Sequence, residues 1–398
     1  MQLRRGFQFE LMPDGRQTRL MREFCGCCRY VYNRTLATEK SLYARDESHH
    51  FSYANATSRL VEWKRKHPFL KACHSQILQQ ALKDLDRAYQ NFFAQRAHFP
   101  KFRKKFQNDS FRFPQGFKLD EKNARIYLPK IGWVRYRKSR FIEGKIKNVT
   151  VSRSVDKWLV SVQTEYEQDC LCMINSKIGI DMGVKRFLTL SDGTYLEPLN
   201  PLKVALNRLA VLQRKSARQK HTSQNAKKTK IKIAKLHHHI ACIRRDFLHK
   251  SSAWIAKNHG IVYVENLKIK HMSASASGTI QSPGSNVKQK SGLNRSILDQ
   301  GWYSFFQMLE YKLQERGGML VKVDPKNTSR TCPNCGHVSA ENRKTQANFV
   351  CVKCGFRENA DKVGAINILR AGQARLACEM CGDTPPSGTK KSLSAGTL

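Results

Sequence analysis

The stretch that most limits what this chain can fold into is CPNCGHVSAENRKTQANFVCVKCG, residues 332–355. Cys332 and Cys335 form one CxxC pair, Cys351 and Cys354 a second, with 15 residues between the pairs. Four thiolates at that spacing present soft ligands tetrahedrally, the arrangement of a zinc ribbon, and a shell closed by four protein ligands is structural rather than catalytic. Gly336 and Gly355 follow the pairs, where a tight turn is needed whose amides point at sulfur. The thirteen cysteines are an odd number in a long chain, so reduced or metal-bound thiols fit better than a secreted disulfide framework. A third pair, Cys378 and Cys381 in CEMCGD, lies in a tail of Ser, Gly, Thr and Lys and has no second half.

Charge narrows the partner. Across 398 residues, 71 Lys and Arg stand against 31 Asp and Glu, a formal charge of +40 that favours a polyanion, nucleic acid first. No apolar run approaches the roughly 18 residues of a spanning helix, and MQLRRGFQFEL lacks the apolar centre of a signal peptide. A cytoplasmic protein with no membrane partner is the expectation. At 40% hydrophobic content the chain can bury the cores of two or three domains.

RGFQFEL alternates like a strand, and the segment after it carries Leu20, Phe24, Cys28, Val31 and Leu36 at helical spacing. HSQILQQALKDLDRAYQNFF repeats that spacing, with Ser75 as its expected N-cap. NARIYLPKIGWVRYRK and KIKNVTVSRSVDKWLVSVQTEYE alternate apolar and polar residues between turn signals, an antiparallel meander or small barrel that the first strand completes. KIGIDMG then reads as a buried strand with RFLTLSDGTYL as hairpin partner, SDG being the turn. Between Pro201 and Lys250 the chain is densely basic, ending in Arg244 and Arg245, and reads as two helices joined near HTSQNAKK. GIVYVENLKI gives another buried strand, SASASGTIQSPGSNVKQKSG a mobile loop, SILDQGWYSFFQMLEYKLQERG one helix, and MLVKVDP a strand.

Acids are scarce enough to be informative. Asp181 ends one apolar strand, Glu265 ends another, and Asp361 starts an apolar helix after the ribbon. Singly they read as a turn residue, a solvated strand end and an N-cap. Converged, they offer hard oxygen ligands suited to Mg²⁺, and a carboxylate cluster holding two such ions serves phosphodiester hydrolysis. FPKFRKKFQNDSFRFPQGF interleaves Phe99, Phe102, Phe106, Phe111 and Phe113 with Lys101, Arg103, Lys104, Lys105 and Arg112, which suits backbone pairing and base stacking. The alternative is that those Phe residues seed the barrel core. A GxDxG strand-turn also fits an actin-like ATPase, but the ribbon, the charge and the lack of later phosphate-binding Gly loops weigh against it.

The segments GIDMGVKRFLTLSDG, RRDFLHKSS, IVYVENLKIKHM, the ribbon and NADKVGAINIL, with GFQFELMPDGRQTRL and GCCRYVYNRTLA near the amino terminus, resemble the TnpB/OrfB family of insertion-sequence proteins. That family is often described as transposases and is related to the type V CRISPR effectors. The resemblance implies a multidomain α/β fold: a RuvC-like nuclease of RNase H fold with an inserted zinc ribbon, beside an antiparallel β-barrel-like domain carrying a helical insert. On this sequence the expected divisions are 1–12 and 99–170 for the barrel, 13–98 for the insert, 171–327 and 359–371 for the nuclease, 328–358 for the ribbon, and 372–398 as a disordered tail.

The same resemblance implies a guide RNA from the element's own end, a DNA target cut beside a short adjacent motif, and catalytic roles for Asp181, Glu265 and Asp361 on Mg²⁺ or Mn²⁺. Asp181 would bridge both ions. Zn²⁺ on Cys332, Cys335, Cys351 and Cys354 would be structural, and a separately encoded tyrosine transposase would perform strand transfer. Val363 stands where many relatives have Asn. The competing readings are a nuclease-silent RNA-guided repressor and a transposase that itself recombines DNA.

Overall fold

A computed structural model describes residues 2–167 and 174–380, with side chains for 3–167 and 174–377. The chain divides into two compact units, Met1–Asp169 and Cys170–Leu398. Among the described residues no helix is long and apolar enough to cross a membrane.

The first unit opens with β1 (Gln2–Met12), α1 (Gly15–Tyr43), α2 (Tyr53–Lys66), α3 (Phe69–Ala72) and α4 (Ser75–Phe93). It continues through β2 (Ser110–Phe113), β3 (Lys118–Asp120), β4 (Arg125–Leu128), β5 (Gly132–Tyr136), β6 (Lys145–Ser154) and β7 (Lys157–Glu167). The strands form one antiparallel sheet in the order β2-β6-β7-β1-β5-β4-β3. The alternation in RGFQFEL puts Phe7, Phe9 and Leu11 on the buried face while β1 pairs with β7 from Gln2↔Glu167 to Leu11↔Trp158. Asp14 starts α1 with a reciprocal capping box: its carboxylate accepts from the Gln17 amide at 2.7 Å, and Gln17 Oε1 accepts from the Asp14 amide at 3.1 Å. Met21, Phe24, Cys28 and Val31 of α1 and Ile77, Leu78 and Leu82 of α4 share a single core with the sheet residues Phe111, Phe113, Val149 and Val160. Ser75 does not cap α4. His74 holds the cap position with no side-chain bond, and Ser75 Oγ instead accepts from Lys64 Nζ at 2.8 Å.

The second unit runs β8 (Lys177–Met182), β9 (Leu188–Leu190), β10 (Tyr195–Leu196), α5 (Pro201–Arg218), α6 (Gln224–Asn258), β11 (Ile261–Glu265), α7 (Ile269–Met272), α8 (Val287–Gln300) and α9 (Trp302–Gln314). After β12 (Met319–Val323) come β13 (Asn348–Val350), β14 (Arg357–Asn359) and α10 (Ala360–Met380). The sheet order is β10-β9-β8-β11-β12, with β8, β11 and β12 parallel and the β9–β10 hairpin antiparallel. Period-two alternation assigns its faces. Ile178, Ile180, Val262 and Val264 enter a core with Leu248 of α6, Ile297 of α8 and Trp302, Phe305 and Leu309 of α9. Ile261 and Tyr263 face the other way, against Ile368, Leu369 and Leu376 of α10.

Two expectations change here. Instead of one helix over 296–317 there are α8 and α9, α8 beginning inside the expected loop, broken at Gly301 with φ +70°. The positive φ favours glycine there, and a Cβ would also press on α6, 3.1 Å from Arg244 Cδ and 3.2 Å from Leu248 Cδ1. At the carboxyl end α10 runs on to Met380, past residue 372, because Gly372 lets the helix lie against the Tyr263 ring and Leu376 joins the same core. Cys381 lies outside the described residues, and the Cys378 side chain with it.

Candidate functional site

The parallel pairing of β8 with β11 ends at Ile180↔Val264, and the next residue on each strand is an acid, Asp181 and Glu265. By alternation Asp181 shares its face with Gly179, and Glu265 shares its face with Tyr263, so both side chains leave the sheet on the side α10 covers. Glycine makes the approach possible. A Cβ on Gly179 would meet Ala365 O at 2.2 Å, and one on Gly364 would meet Asp181 Oδ2 at 3.2 Å. Asp361 occupies the first turn of α10, its amide donating to Asn359 Oδ1 at 3.0 Å, so Asn359 rather than Asp361 fills the capping role.

All three carboxylates are half-buried. Burial pushes Asp181 up to about 8, the negative charges of Glu265 and Asp361 push the same way, and Arg343 opposes them. Glu265 is raised by burial and eased down by the Thr328 hydroxyl, which donates to its Oε1 at 2.6 Å, and by Arg343. Three acids on three separate elements, with Asp181 raised by the charges of the other two, form a site that favours added positive charge.

The ribbon packs on the start of α10, beside Asp361. Cys332, Cys335, Cys351 and Cys354 bring their sulfurs to within 4.8 Å of one another, with Cys332 and Cys354 at 3.6 Å and Cys335 and Cys351 at 3.5 Å. Among the described residues no other set of three such side chains closes to that spacing. Gly336 and Gly355, both at φ +72°, return their amides to Cys332 O and Cys351 O at 3.0 Å, the two knuckle turns. The Phe356 amide pulls the Cys354 thiol down to about 6, toward the thiolate a metal requires. Cys332, Cys351, Phe349, Ala360 and Val363 pack as one small core, so Val363 is the apolar seat of the ribbon on α10.

Several residues that position the acids carry no sequence signal of their own. Arg343 ends a 3₁₀ turn (Ala340–Arg343) in the ribbon and reaches within 3.6 Å of Asp361 Oδ1. Its neighbour Asn342 is buried and fixes that turn, donating to Arg330 O and His337 O and accepting from the Val352 amide. Asn367 of α10 donates to Thr328 O and Thr331 O, tying the helix of Asp361 to the segment that carries Thr328. The polar context of the ribbon hides these roles: nothing in NTSRT or AENRK distinguishes an inward side chain from a solvated one.

The expected nucleic-acid residues sort into two groups. Lys101, Lys104, Lys105 and Arg245 are exposed. Arg103 instead bonds Asp84 at 3.0 Å and lies 4.0 Å above the Tyr32 ring, Arg112 sits 3.9 Å from Asp84, and Arg244 donates to Asp299 O at 2.8 Å and pairs with the Asp299 carboxylate. Arg244 therefore ties α6 to α8, its guanidinium facing the buried acid Asp299. The Phe residues divide likewise: Phe111 and Phe113 are core, whereas Phe99, Phe102 and Phe106 are exposed.

Three family models match the chain. Residues 302–368 match the Cas12f1-like TNB domain, residues 161–276 match a family described as "Probable transposase", and residues 1–48 match a family described as "Helix-turn-helix domain". In this protein the last segment folds as β1 and the single long helix α1. A protein of Escherichia coli K12 named as a candidate RNA-guided DNA endonuclease, InsQ, is 50% identical over 375 residues, covering 94% of this chain and 93% of the relative. A Streptomyces pristinaespiralis protein of the same description is 30% identical over 392 residues, covering 96% and 92%. Among solved structures, Cas12f1 in a complex with single-guide RNA and target DNA superposes with a TM-score of 0.58 at 17% identity, covering 87% of this chain and 81% of that one. That likeness is one of fold.

Proposed function

The chain belongs to the TnpB/OrfB family of insertion-sequence proteins, and we propose that it is its element's RNA-guided DNA endonuclease, cutting target DNA beside a short adjacent motif. The observation that carries the reading is the placement of Asp181, Glu265 and Asp361 at the ends of β8 and β11 and the start of α10, near enough for the last two to act on the charge of Asp181 although their oxygens do not close to the spacing of the thiols. A RuvC-like RNase H fold for the second unit is supported by its mixed five-stranded sheet with helices on both faces, and a barrel-like reading of the first unit by its antiparallel sheet.

On this reading the three acids would hold Mg²⁺ or Mn²⁺, and their oxygen donors and the charge pressing on Asp181 fit such ions. The bound metal would activate water for attack on phosphorus and neutralise charge on the leaving oxygen. Asp181 would be one of the ligands, its carboxyl raised by burial and by the charges of both other acids, which a bound cation would offset. Thr328 fixes the orientation of Glu265, and Arg343 supplies a cation at the edge of the site where a phosphate would enter. The four thiolates fit Zn²⁺, which would hold the ribbon, and with it Arg343, in place. Guide RNA from the element's own end and target DNA are the partners, the cytoplasm is the compartment, and a tyrosine transposase of the same element would carry out strand transfer.

The test is to express the chain with the downstream end of its element, recover the bound RNA, and incubate the complex with matched DNA and Mg²⁺. Guide-dependent cutting that disappears in Asp181→Ala while RNA binding persists is the expected result. Wild-type cutting by Asp181→Ala would remove the triad assignment. Bound target that is never cut would favour the silent repressor, and strand joining by the chain alone would favour direct transposition.

A further inference from the structure

Where the carboxyl ends of α1 and α4 meet the 44–52 loop, the first unit holds a cavity of about 460 Å³. That is within the roughly 300–1,000 Å³ range of small-ligand pockets. Its wall is an aromatic stack. Phe51 and Tyr89 lie at 5.2 Å between ring centroids and 23° between planes, and Tyr89 and Phe93 at 6.4 Å and 20°. Phe93, the outer ring, is 69% exposed, and Tyr43 and Phe99 beside it are also exposed. Rings left in water at the mouth of a concave site mark a surface that something else covers.

Charge says what that something is. The lining mixes charges: Glu39, Glu47, Lys40, His49 and His50 all contribute, and Glu39 is 3% exposed with its carboxylate already held by His49 at 2.8 Å and by Arg59. Exposed Glu47 and His50 offer an acceptor and a ring nitrogen to the polar edge of a base. Lys40 Nζ sits 5.2 Å from the Phe99 centroid and 5.1 Å from that of Phe102, and Lys101 and Lys104 are exposed on the following segment. Exposed, near-parallel rings with lysines beside them match a nucleotide whose base stacks on the wall and whose backbone meets the cations. RNA is the better source, because its loops and bulges present splayed bases, whereas a guide-paired DNA strand does not.

We propose that this cavity receives one unpaired base of the bound RNA, stacked on the outer face of Phe93. The inference rests on the reading that the chain binds RNA and adds to it a site remote in sequence from the acid triad. The experiment uses the RNA complex recovered from co-expression. Ultraviolet crosslinking and peptide mass spectrometry should place a ribonucleotide adduct on Tyr43, Tyr89 or Phe93. Phe93→Ala should weaken RNA binding about 5- to 100-fold, the size of one base–aromatic stack. Because the ring is mostly exposed the melting temperature should hold, and Phe93→Trp should restore binding. Normal RNA affinity in Phe93→Ala, with no adduct in the cavity, would overturn the proposal and leave the nuclease reading intact. An adduct that carries a deoxynucleotide and needs target DNA would overturn the assignment to RNA. No RNA bound to the wild-type chain would bring down both.

Discussion

Asp181 shows what the fold gives up for its site. Raised from 3.8 to about 8, it keeps a proton in the folded, metal-free protein that the unfolded chain releases near pH 4. Folded molecules then bind more protons than unfolded ones between about pH 4 and pH 8, so stability falls as pH rises through that window and the penalty is complete above it. Asp181→Asn should therefore stabilise the second unit at pH 8 by roughly 1–3 kcal/mol, and by less at pH 5. Added Mg²⁺ should narrow the gap by stabilising wild type alone. Urea unfolding at the two pH values, with and without Mg²⁺, measures this, and an unchanged pH profile in Asp181→Asn would mean that the carboxylate is not held in a repelling cluster. At this scale the sequence was legible where chemistry and context disagree: an acid at the end of an apolar strand in a chain of charge +40 stands out. Thr328 and Arg343 did not stand out, since a hydroxyl or a cation in a polar ribbon is ordinary until its direction is known.

Elements depend on how closely they can approach, and two glycines on facing elements make opposite predictions. Gly179→Ala drives a methyl into the backbone oxygen of Ala365, which cannot move without shifting α10, so the second unit should lose about 1–3 kcal/mol. Gly364→Ala meets the Asp181 carboxylate, a side chain that can rotate, so melting should change little while cutting falls. Equal effects of both changes on stability would contradict the tight α10–β8 packing. The ribbon is the third element in this contact. Loss of one thiolate in Cys332→Ser should remove the bound metal, lower the melting temperature of the second unit and misplace Arg343, with metal content read by elemental analysis. Full metal content and unchanged melting in that variant would remove the ribbon assignment. Spacing made the ribbon and the strand alternation readable in advance, whereas the break at Gly301 was not, because a lone glycine in a helical pattern reveals neither its φ nor the helix that crosses it.

For the molecule as a whole, a charge of +40 says that a polyanion binds but not which cations touch it. Adjacent residues separate the two cases. Arg245 is exposed on α6, whereas Arg244 is turned toward Asp299, which is only 5% exposed and also accepts from the Leu202 amide at 3.0 Å. Arg244→Gln leaves that acid without its cation and should cost roughly 2–4 kcal/mol of stability. Arg245→Gln should leave melting unchanged and reduce the slope of log binding constant against log salt by about 0.7–0.9, the signature of one lost phosphate contact. RNA titrations at several salt concentrations, paired with thermal melts, test both variants together. If Arg245→Gln leaves the slope intact, the basic α5–α6 hairpin is a solvated face, and the contacts that release counterions lie among the exposed lysines of the first unit. Composition cannot make that distinction, because a cation bound to phosphate and a cation bound to Asp299 count the same in the total. Only the acid each one faces, or lacks, tells them apart.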